Sequence, residues 1–85
     1  MFYVYILKSL KDDNLYIGST NDLKRRMEEH NSGKVFSTKI RRPFKLVYYE
    51  AYLSEQEARK REHNLKLRAN AFNQLKRRIT ESLKI

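Results

Sequence analysis

The 85-residue sequence has no cysteine, a single proline, no internal repeat and no Ser/Gly/Pro-rich linker. Without cysteine there is neither a disulfide framework nor a thiolate zinc site, and the reducing cytosol is the expected compartment. The apolar opening Phe2 to Leu7 is too short to cross a bilayer. It has no positive segment ahead of it and no small-residue cleavage pattern, so a strand is expected there rather than a targeting segment. With no compositional break, residues 1–85 are expected to form one domain, and domains near this size bury little more than about 60% of their unfolded surface.

What is abundant is positive charge. Nineteen Lys and Arg against ten Asp and Glu give a formal charge of +9. Such a field suits a polyanion, with nucleic acid the leading candidate. Basic amphipathic helices also bind anionic membranes, but this chain carries the apolar pattern of a domain folded around its own core, so no membrane role is expected.

Phe2 to Leu7 and Leu15-Tyr16-Ile17 are rich in aromatic and β-branched residues, and Lys11-Asp12-Asp13-Asn14 between them supplies turn chemistry. They are expected to pair as a hairpin. An even-length loop pairs odd with even positions, which puts Tyr16 on the face of Tyr5. Asn21 is expected to cap a helix that starts at Asp22, runs to about His30 and stops before Ser32-Gly33. At about 100° per residue, Leu23 and Met27 define its buried stripe, His30 falls within it, Arg26 lies on the same edge and Arg25 faces solvent.

A polar, basic loop over residues 31–42 leads through Pro43 into a third strand, Phe44 to Tyr49. Ser54-Glu55-Gln56-Glu57 has the form of a capping box, with Leu53 available to staple against Ala58. In the helix that follows, Ala58 and Leu65 face inward and Glu62 lies between them, where a lone carboxylate is costly. Either Glu62 binds a cation in a cleft or it pairs with Lys66 at the i, i+4 spacing. A last helix, about 70–85, is expected as a basic amphipathic extension with Phe72, Leu75, Ile79 and Leu83 on one side and Lys76, Arg77 and Arg78 mainly around the other. The expected architecture is α+β: a three-stranded antiparallel sheet flanked by helices, in the order β-β-α-β-α-α.

Five separated features, Tyr3-Val4-Tyr5, Tyr16-Ile17-Gly18, Asn21 to Arg26, Arg61-Glu62 and Leu65-Lys66, in this order resemble the GIY-YIG nuclease family. The resemblance is to its small single-domain bacterial members and to the family's nuclease domain in excinuclease, and it covers nearly the whole chain. Tyr3 stands where the family name has glycine, and Val4 where it has isoleucine.

The resemblance implies a metal-dependent endonuclease acting on DNA, linked to repair or recombination. Tyr5 and Tyr16 would form a pair beside the scissile phosphate, one of them helping to align and deprotonate the attacking water, with a metal and an arginine favouring phenolate. Arg26 would neutralise charge on the phosphate oxygens, and His30 would relay a proton. Glu62 would hold Mg2+ or Mn2+, hard ions suited to one carboxylate plus water and phosphate oxygens. Asn70 and Asn73 both compete for the family's asparagine, and either is also a candidate cap for the last helix. Arg41, Arg42 and Lys66 are candidates to hold backbone phosphates. The alternative is a non-catalytic nucleic-acid-binding module on the same fold, and a protein partner could supply targeting in either case.

Overall fold

The computed structural model describes residues 1–84. Strands β1 (Phe2–Ser9) and β2 (Leu15–Thr20) form the expected hairpin, with Tyr5 opposite Gly18 and Leu7 opposite Tyr16, so odd positions pair with even ones. Its turn is organised by Ser9, whose Oγ accepts from the amides of Lys11 and Asp12 while its own amide donates to Asn14. Asp13 takes the left-handed conformation at φ 60°, which a short polar side chain tolerates. Strand β3 (Phe44–Tyr52) pairs with the other side of β1, giving the order β2-β1-β3, all antiparallel. The β1–β3 register shifts between Ile6–Tyr48 and Leu7–Leu46, leaving Val47 as the extra residue of a bulge.

Helix α1 (Leu23–Ser32) starts one residue later than expected. Asp22, not Asn21, is the cap: its carboxylate accepts from the Arg25 amide at 3.0 Å, while Asn21 Oδ1 takes the Arg25 side chain instead. A charged acceptor at the positive end of the helix dipole explains the preference. The helix also runs two residues past His30, to Gly33 at φ 81°, where the left-handed C-cap favours glycine. Asn31 then clamps the start of β3, accepting from the Phe44 amide at 2.7 Å and donating to its carbonyl at 3.2 Å.

Helix α2 (Glu55–Leu67) is capped by Ser54 Oγ, which accepts from the Glu57 amide. The expected staple does not form, because Ala58 turns into the core while Leu53 stays 87% exposed. The single last helix is in fact two, α3 (Ala69–Arg78) and α4 (Thr80–Lys84). Its apolar side still packs inward: Leu75 and Ile79 join Val4, Ile6, Ala58 and Leu65 in the core on one sheet face. Arg68 caps α3, so neither Asn70 nor Asn73 does. On the other face Tyr5, Leu7 and Phe44 are covered by Leu23 and Met27 of α1, with Tyr16 and Leu46 beside them.

A polar network ties β3 to α2. Glu50 receives two hydrogen bonds from Arg61, at 2.9 and 3.0 Å, and one each from the Tyr48 and Tyr52 hydroxyls, at 2.7 and 2.6 Å. Burial pushes the Glu50 carboxyl up, but these hydrogen bonds outweigh it and hold the group below its ordinary value. Burial together with Glu50 raises both tyrosines to about 12. A depressed carboxyl contributes stability that is complete above its unfolded pKa and disappears as pH falls through the folded one. Glu50→Gln should therefore cost about 2 kcal/mol at neutral pH. In thermal melts across pH the gap between native and variant should close below about pH 4.5; a gap independent of pH would contradict this account.

Candidate active site

Tyr5 lies in the middle of the central strand, 1% exposed, with its ring over Gly18 on the edge strand. A Cβ on Gly18 would collide with the Tyr5 hydroxyl and stand 2.5 Å from ring carbon Cζ, so glycine is what admits the ring. Tyr16, on the same face, has its ring centroid 6.5 Å from that of Tyr5. His30, wholly buried in the last turns of α1, meets both rings edge-on, at 5.8 and 5.1 Å. Both its ring nitrogens are engaged, Nε2 at 2.9 Å from the Tyr5 hydroxyl and Nδ1 at 2.9 Å from Thr38 Oγ1. Arg26, one turn earlier on α1, sets its guanidinium beside the Tyr5 oxygen and donates to Glu29 at 3.1 Å.

Burial pushes the Tyr5 phenol up to about 12, further than the Arg26 guanidinium pulls it down. The arginine's share of the expected pull toward phenolate is present, but in the protein alone desolvation outweighs it. Burial, with Arg26 beside it, pushes His30 down to about 4 against the opposing pull of Glu29. At neutral pH Tyr5 is a phenol and His30 an uncharged imidazole.

Glu62 approaches from the opposite face of the sheet, on α2. Because β2 is an edge strand, a side chain on α2 can reach its rim. Ser19, the residue after Gly18, donates to Glu62 Oε1 at 2.7 Å, and Lys66 Nζ donates to Oε2 at 2.7 Å. Burial raises the Glu62 carboxyl, but Lys66 and then Ser19 outweigh it and hold the group below its ordinary value, hence ionised. The i, i+4 pair weighed against a cation is therefore present, and Ser19 adds a second donor. Among the described residues no three His, Cys, Asp or Glu side chains cluster to hold a metal. A single carboxylate such as Glu62 would suit only a hard ion that keeps most of its water, and such an ion would compete with Lys66 for it.

A groove of about 300 Å³ opens at this rim, lined by Tyr3, Ser19, Arg25, Arg26 and Arg59 among others. Arg25 and Arg59 are held there by Asn21 at 3.2 Å and Glu55 at 3.4 Å, which leaves much of each guanidinium exposed. Lys66 stands beside Glu62. Arg41 and Arg42 are elsewhere: Arg41 is bonded twice to Asp12 at the turn end of the hairpin and stacks on Phe44, while Arg42 donates to the Lys39 carbonyl. Asn70 and Asn73 are exposed on α3 and do not line the groove.

Comparison with known proteins gives the family. The GIY-YIG catalytic domain profile matches residues 1–79. The chain belongs to the GIY-YIG family. A UPF0213 protein of Clostridium perfringens is 48% identical over 67 residues, covering 78% of this chain and 71% of that protein. Another, from Staphylococcus saprophyticus, is 46% identical over 65 residues, covering 75% and 78%. The solution NMR structure of the UPF0213 protein BH0048 from Bacillus halodurans, 42% identical, superposes with a TM-score of 0.54 over 88% of this chain and 82% of that one.

A GIY-YIG nuclease domain implies a nucleic-acid substrate, and the two GIY-YIG motifs here are the paired strands whose register brings Tyr5 onto Gly18. Tyr3, in the place of the first motif's glycine, packs edge-on against Tyr49 at 5.9 Å without breaking the strand pairing. No periodicity or motif marks Thr38, which lies in an aperiodic loop, or Arg59. Ser19 was legible in principle, since strand alternation puts it opposite in face to Gly18 and toward α2. Gly18→Ala should displace the Tyr5 ring and lower stability by about 1–3 kcal/mol. Shifted Tyr5 and His30 ring resonances in NMR spectra would show the displacement, and unchanged ones would contradict it.

Proposed function

We propose that this protein is a divalent-metal-dependent endonuclease that hydrolyses DNA phosphodiester bonds in the cytosol, in repair or recombination as the likeness to the excinuclease domain implies. The observation that carries the proposal is the contact of Tyr5, Tyr16 and His30 on one sheet face, with the Arg26 guanidinium beside them. The Glu62 charge is felt at Tyr5, and its partner Ser19 lines the same groove as Arg26. Nothing in a structural core requires that combination, and phosphodiester hydrolysis uses each part.

Arg26 offers a planar, permanently charged fork to the phosphate oxygens as negative charge accumulates on them. Tyr5, a phenol at neutral pH, can take a proton from water only if it passes its own proton on, and His30 Nε2 at 2.9 Å is the receiver. Tyr16 flanks the attacking water. Mg2+ or Mn2+ held by Glu62 would supply charge stabilisation at the phosphate and the departing oxygen. Arg25 and Arg59 give the groove two further cations for neighbouring backbone phosphates.

One observation favours a second function. The Lys66–Glu62 pair satisfies the carboxylate without any metal, as a non-catalytic DNA-binding module would need. Cleavage of duplex, flap, branched and single-stranded DNA with Mg2+ or Mn2+ separates the two. Glu62→Ala should abolish cleavage and Arg26→Lys should lower kcat/KM by about 100-fold or more. A native protein that cuts none of these substrates, yet binds DNA with strong salt dependence, is the binding module.

A further inference from the structure

His30 has two buried hydrogen-bond partners, and only Tyr5 belongs to a family motif. The other, Thr38, is 1% exposed, comes from the loop between α1 and β3 and touches Nδ1, the nitrogen facing away from Tyr5. Its hydroxyl lies 3.5 Å from the Val35 carbonyl, toward which its own amide also donates at 3.1 Å.

The neighbours of this chain favour one direction for its protons. Arg26, beside the Tyr5 oxygen, can only donate, so the acceptor left for the Tyr5 proton is His30 Nε2. Nε2 therefore presents a lone pair. An uncharged imidazole must then carry its proton on Nδ1, which donates it to Thr38 Oγ1, and the Thr38 proton turns to the Val35 carbonyl. Burial holds His30 uncharged at neutral pH, so the ring carries a single proton to be placed.

We propose that Thr38 is a positioning residue that locks His30 as the Nδ1–H tautomer and so keeps Nε2 open to receive the Tyr5 proton. Its catalytic consequence rests on the nuclease function proposed above. In hydrolysis a P–O bond forms to water and the P–O bond to the leaving oxygen breaks. The water's proton passes to the Tyr5 oxygen as the Tyr5 proton passes to Nε2, and the leaving oxygen is protonated by the resulting imidazolium or by solvent. Throughout, the other ring proton stays on Nδ1, directed at Thr38. With Nε2 already protonated the transfer has nowhere to go.

Long-range 1H–15N spectra of the imidazole ring, taken on the full chain without metal or DNA, read the tautomer directly. The native protein should show a protonated Nδ1 and an unprotonated Nε2 for His30. Thr38→Val, nearly isosteric but without the hydroxyl, should bring in the Nε2–H form, and Thr38→Ser should restore the native pattern. In cleavage assays Thr38→Val should lose about 100-fold or more in kcat with KM little changed, and Thr38→Ser should recover most of it. An Nε2–H tautomer in the native protein, or an unaltered tautomer in Thr38→Val, overturns the proposal. Should the native protein cleave no DNA, the nuclease function fails, while the spectrum still decides the tautomer.

Discussion

The register between β1 and β2 is the constraint on which the rest of the structure depends. Pairing Tyr5 with Gly18 puts the one side chain that must cross to the edge strand opposite the one residue with no side chain to obstruct it. The same register sends Tyr16 to the face of Tyr5 and Ser19 to the opposite face, where Glu62 waits. A slip of β2 by a single residue would reverse its directions, turning Tyr16 away from His30 and Ser19 away from α2, and would set a side chain opposite Tyr5. Ser9, holding the turn through its side chain and amide, fixes the loop length from which that register follows.

Onto that frame the protein places a line of polar groups inside an apolar layer. Tyr5, His30 and Thr38 are each no more than 1% exposed, and Leu7, Phe44, Leu23 and Met27 pack around them. Such a line is tolerable only if every member is satisfied, and no buried side-chain nitrogen or oxygen among the described residues lacks a partner. Desolvation then does two things together. It fixes the rings by making each hydrogen bond expensive to break, and it keeps both titratable members uncharged at neutral pH. Tyr5 is here a phenol with a ready proton acceptor.

Much of this was legible in the sequence because it depends on periodicity. Alternation in a two-stranded hairpin put the tyrosines on one face, the helical repeat put His30 inside the α1 stripe beside Arg26, and Ser54-to-Glu57 marked the start of α2. What escaped lies in tertiary competition and aperiodic loops. Glu50 falls just past the expected end of the third strand, and nothing local shows that Arg61, Tyr48 and Tyr52 converge on it. Arg41 looked like a phosphate ligand, because its pairing with Asp12 spans 29 residues. Arg25 was expected to face solvent, and more than half of its side chain does, yet it also borders the groove, since a groove wall is solvent-exposed by nature.

Glu62 shows why a structural and a functional explanation for one residue need not compete. A half-buried carboxylate requires a positive neighbour in any state, and in the protein alone Lys66 is that neighbour at 2.7 Å. Lys66 is the more exposed partner, 45% against 21%, so its side chain can swing to solvent or to a phosphate without uncovering the core. Under the proposed function, substrate would bring the anion that draws Lys66 away, and a hard cation would take its place on Oε2, so the local charge balance is preserved through the exchange. Ser19, which itself lines the groove, donates to the other oxygen from a fixed strand position and would hold the carboxylate in place while its partner changes. The ion pair that the i, i+4 spacing announced is then the resting form of the same site.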